Sequence, residues 1–276
     1  MPGSANSGDD VLQRAVLALQ NQRPNEAEWI AGDLLKKNPR HSRALHIFGC
    51  ALLMQDRAKD AIAPLQEAAR ARHDPEIDTQ LAIALRKAGQ VEDALTRLKR
   101  AIKRRPPYAA AFHELGFVLF SMQRYDEAID VLRRGLEVAP MMPEMSIQLG
   151  NVLLATKDRA RAKAAFSRAL AINPALPDAL FGMGMAHQED GEYEAASHCF
   201  RSYLAGRPNH HGAWMNLGHC LLELGQRDAG YGCFRRASRT GAVHPGKVLG
   251  AMVKSGHGRF WLKPSAAARF FKQPDG

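Results

Sequence analysis

Along most of this chain the apolar residues recur at three- and four-residue intervals, the spacing that puts them on one face of an α-helix. The stretch Ala111-Phe-His-Glu-Leu-Gly-Phe-Val-Leu-Phe120 predicts one such helix. After a short polar turn, Tyr125-Asp-Glu-Ala-Ile-Asp-Val-Leu-Arg-Arg134 predicts a second. The same two-helix pattern returns on a fixed clock. Pro106, Pro140, Pro174 and Pro208 are 34 residues apart, and Pro39 stands 67 before Pro106. Gly116, Gly150, Gly184 and Gly218 also step by 34, with Gly49 standing 67 before Gly116. Ala27, Ala61, Ala94, Ala128, Ala162 and Ala196 step by 34, 33, 34, 34 and 34. A period of this length is the signature of a repeat architecture.

The three ladders have a common physical reading. Gly116 and Ala128 lack bulk, so the backbones of the two helices can approach, while Leu115, Leu119 and Leu132 fill the space around the contact. Proline closes each unit, because it lacks an amide donor and its ring clashes with the preceding helical turn.

With Leu149-Gly150-(x)2-Leu153, Ala162, Phe166, Ala169 and Pro174, and with Trp214-(x)2-Leu217-Gly218, the chain resembles the tetratricopeptide repeat family. The resemblance covers seven units, 8–41, 42–74, 75–108, 109–142, 143–176, 177–210 and 211–244. Residues 1–7 are expected to be a disordered N-terminus, and 245–276 a solvating helix and basic-aromatic tail. The fold implied is all-α: a right-handed superhelix of stacked helix pairs whose first helices line a concave groove. The pattern departs from the family at Arg14 and Ala18, at His73 in place of a closing proline, and at Gly230 in place of the contact alanine. Terminal units need a polar outer face, which accounts for the departures at the ends.

Function in such an array lies in what fills the groove rather than in a catalytic pocket. The family geometry implies that the concave side presents His46, Cys50 and Leu53, then Thr79, Ile83 and Arg86, then His113, Phe117 and Phe120. It continues with Ile147, Asn151 and Leu154, with Phe181, Met185 and Gln188, and with Met215, His219 and Leu222. The Lys, Asn and Arg set by which family members clamp a chaperone's C-terminal carboxylate is missing. An asparagine ladder like that of O-linked sugar transferases is broken, with Gln80, Glu114, Gln148, Gly182 and Asn216 at the corresponding positions. What remains is a Phe- and Met-rich track suited to the anchors of an apolar peptide or amphipathic helix. A non-enzymatic scaffold or adaptor binding a partner protein or peptide is therefore expected. The alternative is a stand-alone targeting module for a glycosyl- or sulfotransferase.

Charge changes this picture in two places. The chain carries a formal +10, yet 109–245 holds 14 basic against 14 acidic residues, whereas 75–108 holds 8 against 4 and 246–276 holds 6 against 1. Arg97, Lys99, Arg100, Lys103, Arg104 and Arg105 fall on the predicted second helix of the third unit, where a solvated face complementing the helix dipole is the simpler reading and a docking patch for acidic partners the other. In the tail, Arg259, Phe260, Trp261 and Lys263, then Arg269, Phe270 and Phe271, interleave aromatics with cations. Capping the array is the favoured destination, ahead of folding into the groove or binding an outside partner. Association with a membrane surface or nucleic acid through this tail is the weakest reading.

No other chemistry emerges. Gly182-Met-Gly184 lacks the third glycine of a dinucleotide fingerprint and Gly184 already belongs to the repeat ladder. Acidic pairs such as Glu92-Asp93 and Asp126-Glu127 sit in first helical turns, where the dipole favours them. His46 with Cys50, and His211 with Met215 and His219, have metal-compatible spacing but no third ligand nearby, so neither a metal nor another cofactor is expected. Cys50, Cys199, Cys220 and Cys233 show no disulfide-framework spacing, and Cys199 and Cys233 fall at equivalent places in successive units. With no long apolar run, the expectation is a reducing, cytoplasmic location.

Overall fold

The computed structural model describes residues 5–239, with side chains from residue 9 onward. The elements of this region are helices, and the chain divides after Pro140 into two compact units. The first unit holds α1 (Ala5–Gln20), α2 (Pro24–Lys37), α3 (Ser42–Met54), α4 (Ala58–Ala71), α5 (Pro75–Lys87), α6 (Val91–Ala101), α7 (Ala109–Ser121) and α8 (Tyr125–Val138). The second holds α9 (Pro143–Ala155), α10 (Arg159–Ile172), α11 (Pro177–Glu189), α12 (Tyr193–Gly206), α13 (His211–Glu223) and α14 (Arg227–Arg239). α1 begins at Ala5, inside the segment expected to be disordered. Each odd-numbered helix packs on the helix that follows it, and each even-numbered helix packs on the next pair within its unit. The fold is an all-α helical-repeat solenoid.

One backbone device makes every turn inside a pair. Gln22, Asp56, Gly89, Gln123, Lys157, Gly191 and Gly225 all have positive φ, between 58° and 88°. The amide of the next residue reaches back five positions in each case, as in Arg57 N–H to Leu52 O at 2.9 Å and Gln226 N–H to Leu221 O at 2.9 Å. This is a Schellman ending, which satisfies carbonyls the helix would otherwise leave open. The four non-glycine residues carry a Cβ in a left-handed conformation. Gln123→Gly should therefore raise stability by ~0.5–1 kcal/mol, the relief of that Cβ outweighing the added chain entropy. A lower urea midpoint for this variant would contradict the assignment.

The glycine ladder marks the places where a large residue lies across a helix backbone. A Cβ on Gly116 would stand 2.6 Å from Leu132, one on Gly150 2.6 Å from Phe166, and one on Gly184 2.8 Å from Phe200. Leu132, Phe166 and Phe200 are each 0% exposed. In the first pair the equivalent positions are held by two alanines, Ala15 and Ala31, both fully buried, so bulk is absent on both sides. In the last pair Gly230 replaces alanine, and its added Cβ would lie 3.0 Å from the Gly218 carbonyl oxygen, a direct approach of two backbones.

The third pair differs from the sequence-based expectation. α6 stops at Ala101, five residues before Pro106, whereas α8, α10 and α12 each run to two residues before their closing proline. Here the closing proline is doubled, Pro106 being followed by Pro107, so that Arg105 and Pro106 are both held out of the helical region by the proline that follows them. Lys103, Arg104 and Arg105 thus lie beyond the helix rather than on it.

Candidate functional site

Within the first unit α1 touches α3, α3 touches α5 and α5 touches α7, and in the second α9 touches α11. Even-numbered helices make no comparable contacts with one another, so the odd-numbered helices form the crowded wall of each unit. The candidate residues lie on this wall.

In the first unit, His46 and Cys50 of α3, Ile83 and Arg86 of α5, and His113 and Phe120 of α7 are half-buried, and Phe117 is 42% exposed. Arg86 organises the centre. Its guanidinium stands 4.6 Å over the Phe117 ring and pairs with Glu114 at 3.4 Å. Glu114 occupies a place where an asparagine ladder would need asparagine, and here its carboxylate is used to hold the arginine over the aromatic face. Phe120 leans on Tyr125 at 5.8 Å between centroids. Burial pushes the Cys50 thiol up to about 12, with Glu76 adding to the effect, and lowers the His46 pKa. A thiol in that state is a poor nucleophile. Burial also carries the Tyr108 phenol to about 12.

Two members of this set belong to the core instead. Leu53 is 8% exposed, and Thr79 is 1% exposed with its hydroxyl donating to the Pro75 carbonyl at 2.6 Å. Leu222 in the second unit is likewise fully buried. Spacing places a side chain on a helix face, but the neighbouring helix that crosses the face decides its depth.

In the second unit, Asn151 is exposed, while Ile147, Leu154, Phe181, Met185, Gln188, Met215 and His219 are half-buried. Phe181 is not a loose anchor. It sits edge-on to Phe200 at 5.7 Å and meets Tyr203 at 5.2 Å and His210 at 5.4 Å. His210 is itself fixed, because its Nδ1 accepts the Ala213 amide at 3.0 Å and caps α13. Polar links then tie α11 to α13. Gln188 Nε2 lies 3.3 Å from His219 Nδ1, and Asn216 Nδ2 donates to the Met185 sulfur at 3.1 Å. Neither link was visible from local pattern, since each joins residues 31 apart.

Among the described residues no group of three or more His, Cys, Asp or Glu side chains could hold a metal ion, and no helix is long and apolar enough to cross a membrane. The cysteines are free thiols, with Cys220 and Cys233 buried and Cys50 and Cys199 half-buried. The glycines of Gly182-Met-Gly184 are accounted for by packing on Phe166 and Phe200. Arg259, Phe260, Trp261, Lys263, Arg269, Phe270 and Phe271 lie outside the described residues.

Comparison with known proteins agrees with this architecture. Tetratricopeptide repeat models match residues 12–75, 85–147, 143–176 and 181–237. No curated protein sequence matches the chain. Among solved structures, Pseudomonas aeruginosa pilF is similar over 72% of this chain and 90% of its own at 20% identity, with a TM-score of 0.65. A chain of the APC/C hetero-tetramer Cut9-Hcn1 is similar over 83% of this chain and 46% of its own at 14% identity, with a TM-score of 0.69. YrrB, described as a TPR protein with an unusual peptide-binding site, is similar over 66% of this chain and 95% of its own at 17% identity, with a TM-score of 0.52. At such identities the structural likeness speaks for the fold, and the repeat models, which together span most of the sequence, speak for descent: the chain belongs to the tetratricopeptide repeat family.

Proposed function

We propose that the chain is a non-enzymatic scaffold that holds a partner polypeptide against the wall formed by its first helices. The observation carrying this reading is the succession of α3, α5 and α7, which brings half-exposed apolar and cationic side chains onto one wall around Phe117 and Arg86. A guanidinium stacked on an aromatic ring offers a flat amphipathic contact of the kind that dominates binding energy at interfaces. In the second unit, Ile147, Met185 and Met215 supply adaptable apolar surface. The peptide-binding site named for YrrB supports the reading by analogy of fold.

The test is photo-crosslinking from position 117 with a benzophenone amino acid, against a control at Glu92 on α6. Crosslinks to a discrete polypeptide are expected at 117 only, and Phe117→Ala should reduce co-purification of that polypeptide about tenfold, the effect of losing a central aromatic anchor. The helical circular dichroism should stay unchanged. Equal recovery with intact and truncated Phe117, or equal crosslinking at both positions, would rule the wall out as the binding surface.

A further inference from the structure

We propose that the corner formed by the end of α6 and the turns before α5 and α7 binds an acidic polypeptide segment. Of the six cations between 97 and 105, two are used internally: Arg97 pairs with Asp78 at 3.1 Å and Lys99 with Glu127 at 3.5 Å. Arg100, Lys103, Arg104 and Arg105 are exposed and have no ion pair among the described residues. A helix-dipole role accounts for Arg100 in the last turn of α6, but the effect fades within one turn and does not extend to the three cations beyond Ala101. Elsewhere cations are commonly matched across turns, as by Lys87 with Asp56 at 2.9 Å and Lys157 with Glu189 at 3.3 Å. Four neighbouring unmatched cations repel one another, and an anionic partner relieves that repulsion.

The shape beside Arg105 selects the class of anion. A cavity of about 570 Å³ opens between the two turns, lined by the cationic or titratable Arg72, His73 and Arg105 and by Pro75, Pro107 and Tyr108, which give it stiff apolar surface. Asp74 and Glu76 also line it, Asp74 lying 3.8 Å from Arg72 and capping the Glu76 amide. Those two carboxylates disfavour a run of phosphodiesters crossing the cavity. None of the large exposed apolar side chains lies between 72 and 108, so the corner lacks the anchor a membrane surface would take up. An acidic peptide fits both parts, its carboxylates on Lys103, Arg104 and Arg105 and a neighbouring aromatic side chain against Tyr108 and Pro107.

The experiment uses the full chain and a fluorescein-labelled peptide of six glutamates followed by one phenylalanine, read by anisotropy. Binding is expected to weaken at least tenfold from 50 to 300 mM salt, and at least tenfold in Arg104→Glu with Arg105→Glu. The milder Lys103→Gln with Arg104→Gln should weaken it severalfold. Arg14→Glu with Lys59→Glu, the same charge change at exposed sites elsewhere, should leave it within twofold, as should Phe117→Ala, which separates this corner from the wall. The proposal is overturned if the glutamine version of the peptide binds equally well, if the corner variants bind like the parent, or if Phe117→Ala abolishes binding. It is also overturned if a 20-base-pair duplex or phosphatidylserine vesicles bind more tightly than the peptide and are released by the same corner variants.

Discussion

Gly150→Ala with Gly182→Ala should destabilise the second unit by about 2–3 kcal/mol, although each change alone raises helix propensity by nearly 1 kcal/mol. The reason is the position of Phe166, whose ring lies between α9 and α11. A Cβ on Gly150 would stand 2.6 Å from the ring, and one on Gly182 closer still, on the same Cε1 and Cζ atoms. The ring is 0% exposed, so it cannot swing into solvent, and moving it away from one new methyl drives it toward the other helix. Inserted methylenes in a close-packed interior typically cost 1–3 kcal/mol, roughly, and here the strain falls on a rigid ring rather than a flexible chain end. Gly206→Ala is the control, because nothing lies within 4 Å of its added Cβ, and it should be neutral or slightly stabilising. Urea unfolding followed by circular dichroism measures both. A double variant as stable as the parent would show that the ring is not held between the helices.

Gly182 also shows where local sequence stops being informative. The repeat ladder accounts for Gly184 and leaves Gly182 looking like half of a nucleotide loop. Its reason is a phenylalanine sixteen residues earlier in another helix pair. The alternation of helices, by contrast, is carried by prolines, glycines and alanines at fixed intervals, each tied to a local steric demand, and so it can be read directly. The turns are half legible. Gly89, Gly191 and Gly225 announce a left-handed residue, but Gln22, Asp56, Gln123 and Lys157 occupy the same conformation with nothing in their chemistry to advertise it. On the wall, the family resemblance implies the helix face that holds Phe117 and Arg86, whereas it cannot show that Glu114 steers the arginine or that Thr79 turns back to its own helix. Those outcomes depend on neighbours 28 residues away and on local backbone acceptors that compete for a hydroxyl.

Phe200→Ala should cost about 3–5 kcal/mol, the range for truncating a buried phenylalanine. The side chain is 0% exposed, lies over Gly184 and meets the edge of Phe181 at 5.7 Å. Its loss leaves a cavity under Phe181, whose remaining aromatic neighbours are Tyr203 and His210. Two consequences distinguish this packing from a general loss of hydrophobic bulk. Gly184→Ala, which is destabilising beside the full ring because its Cβ would fall 2.8 Å from Phe200, should turn stabilising in the Phe200→Ala background, where the same methyl fills vacated space. Phe181→Ala should cost less in that background than alone, since part of the edge-on contact has already gone. Because a repeat array need not unfold in one step, hydrogen exchange of the α11 and α12 peptides is the sensitive readout, and protection there should fall before that of α3 and α4. If Gly184→Ala keeps its sign in both backgrounds, Phe200 does not occupy the space above Gly184. In that case the wall position of Phe181 has some other support.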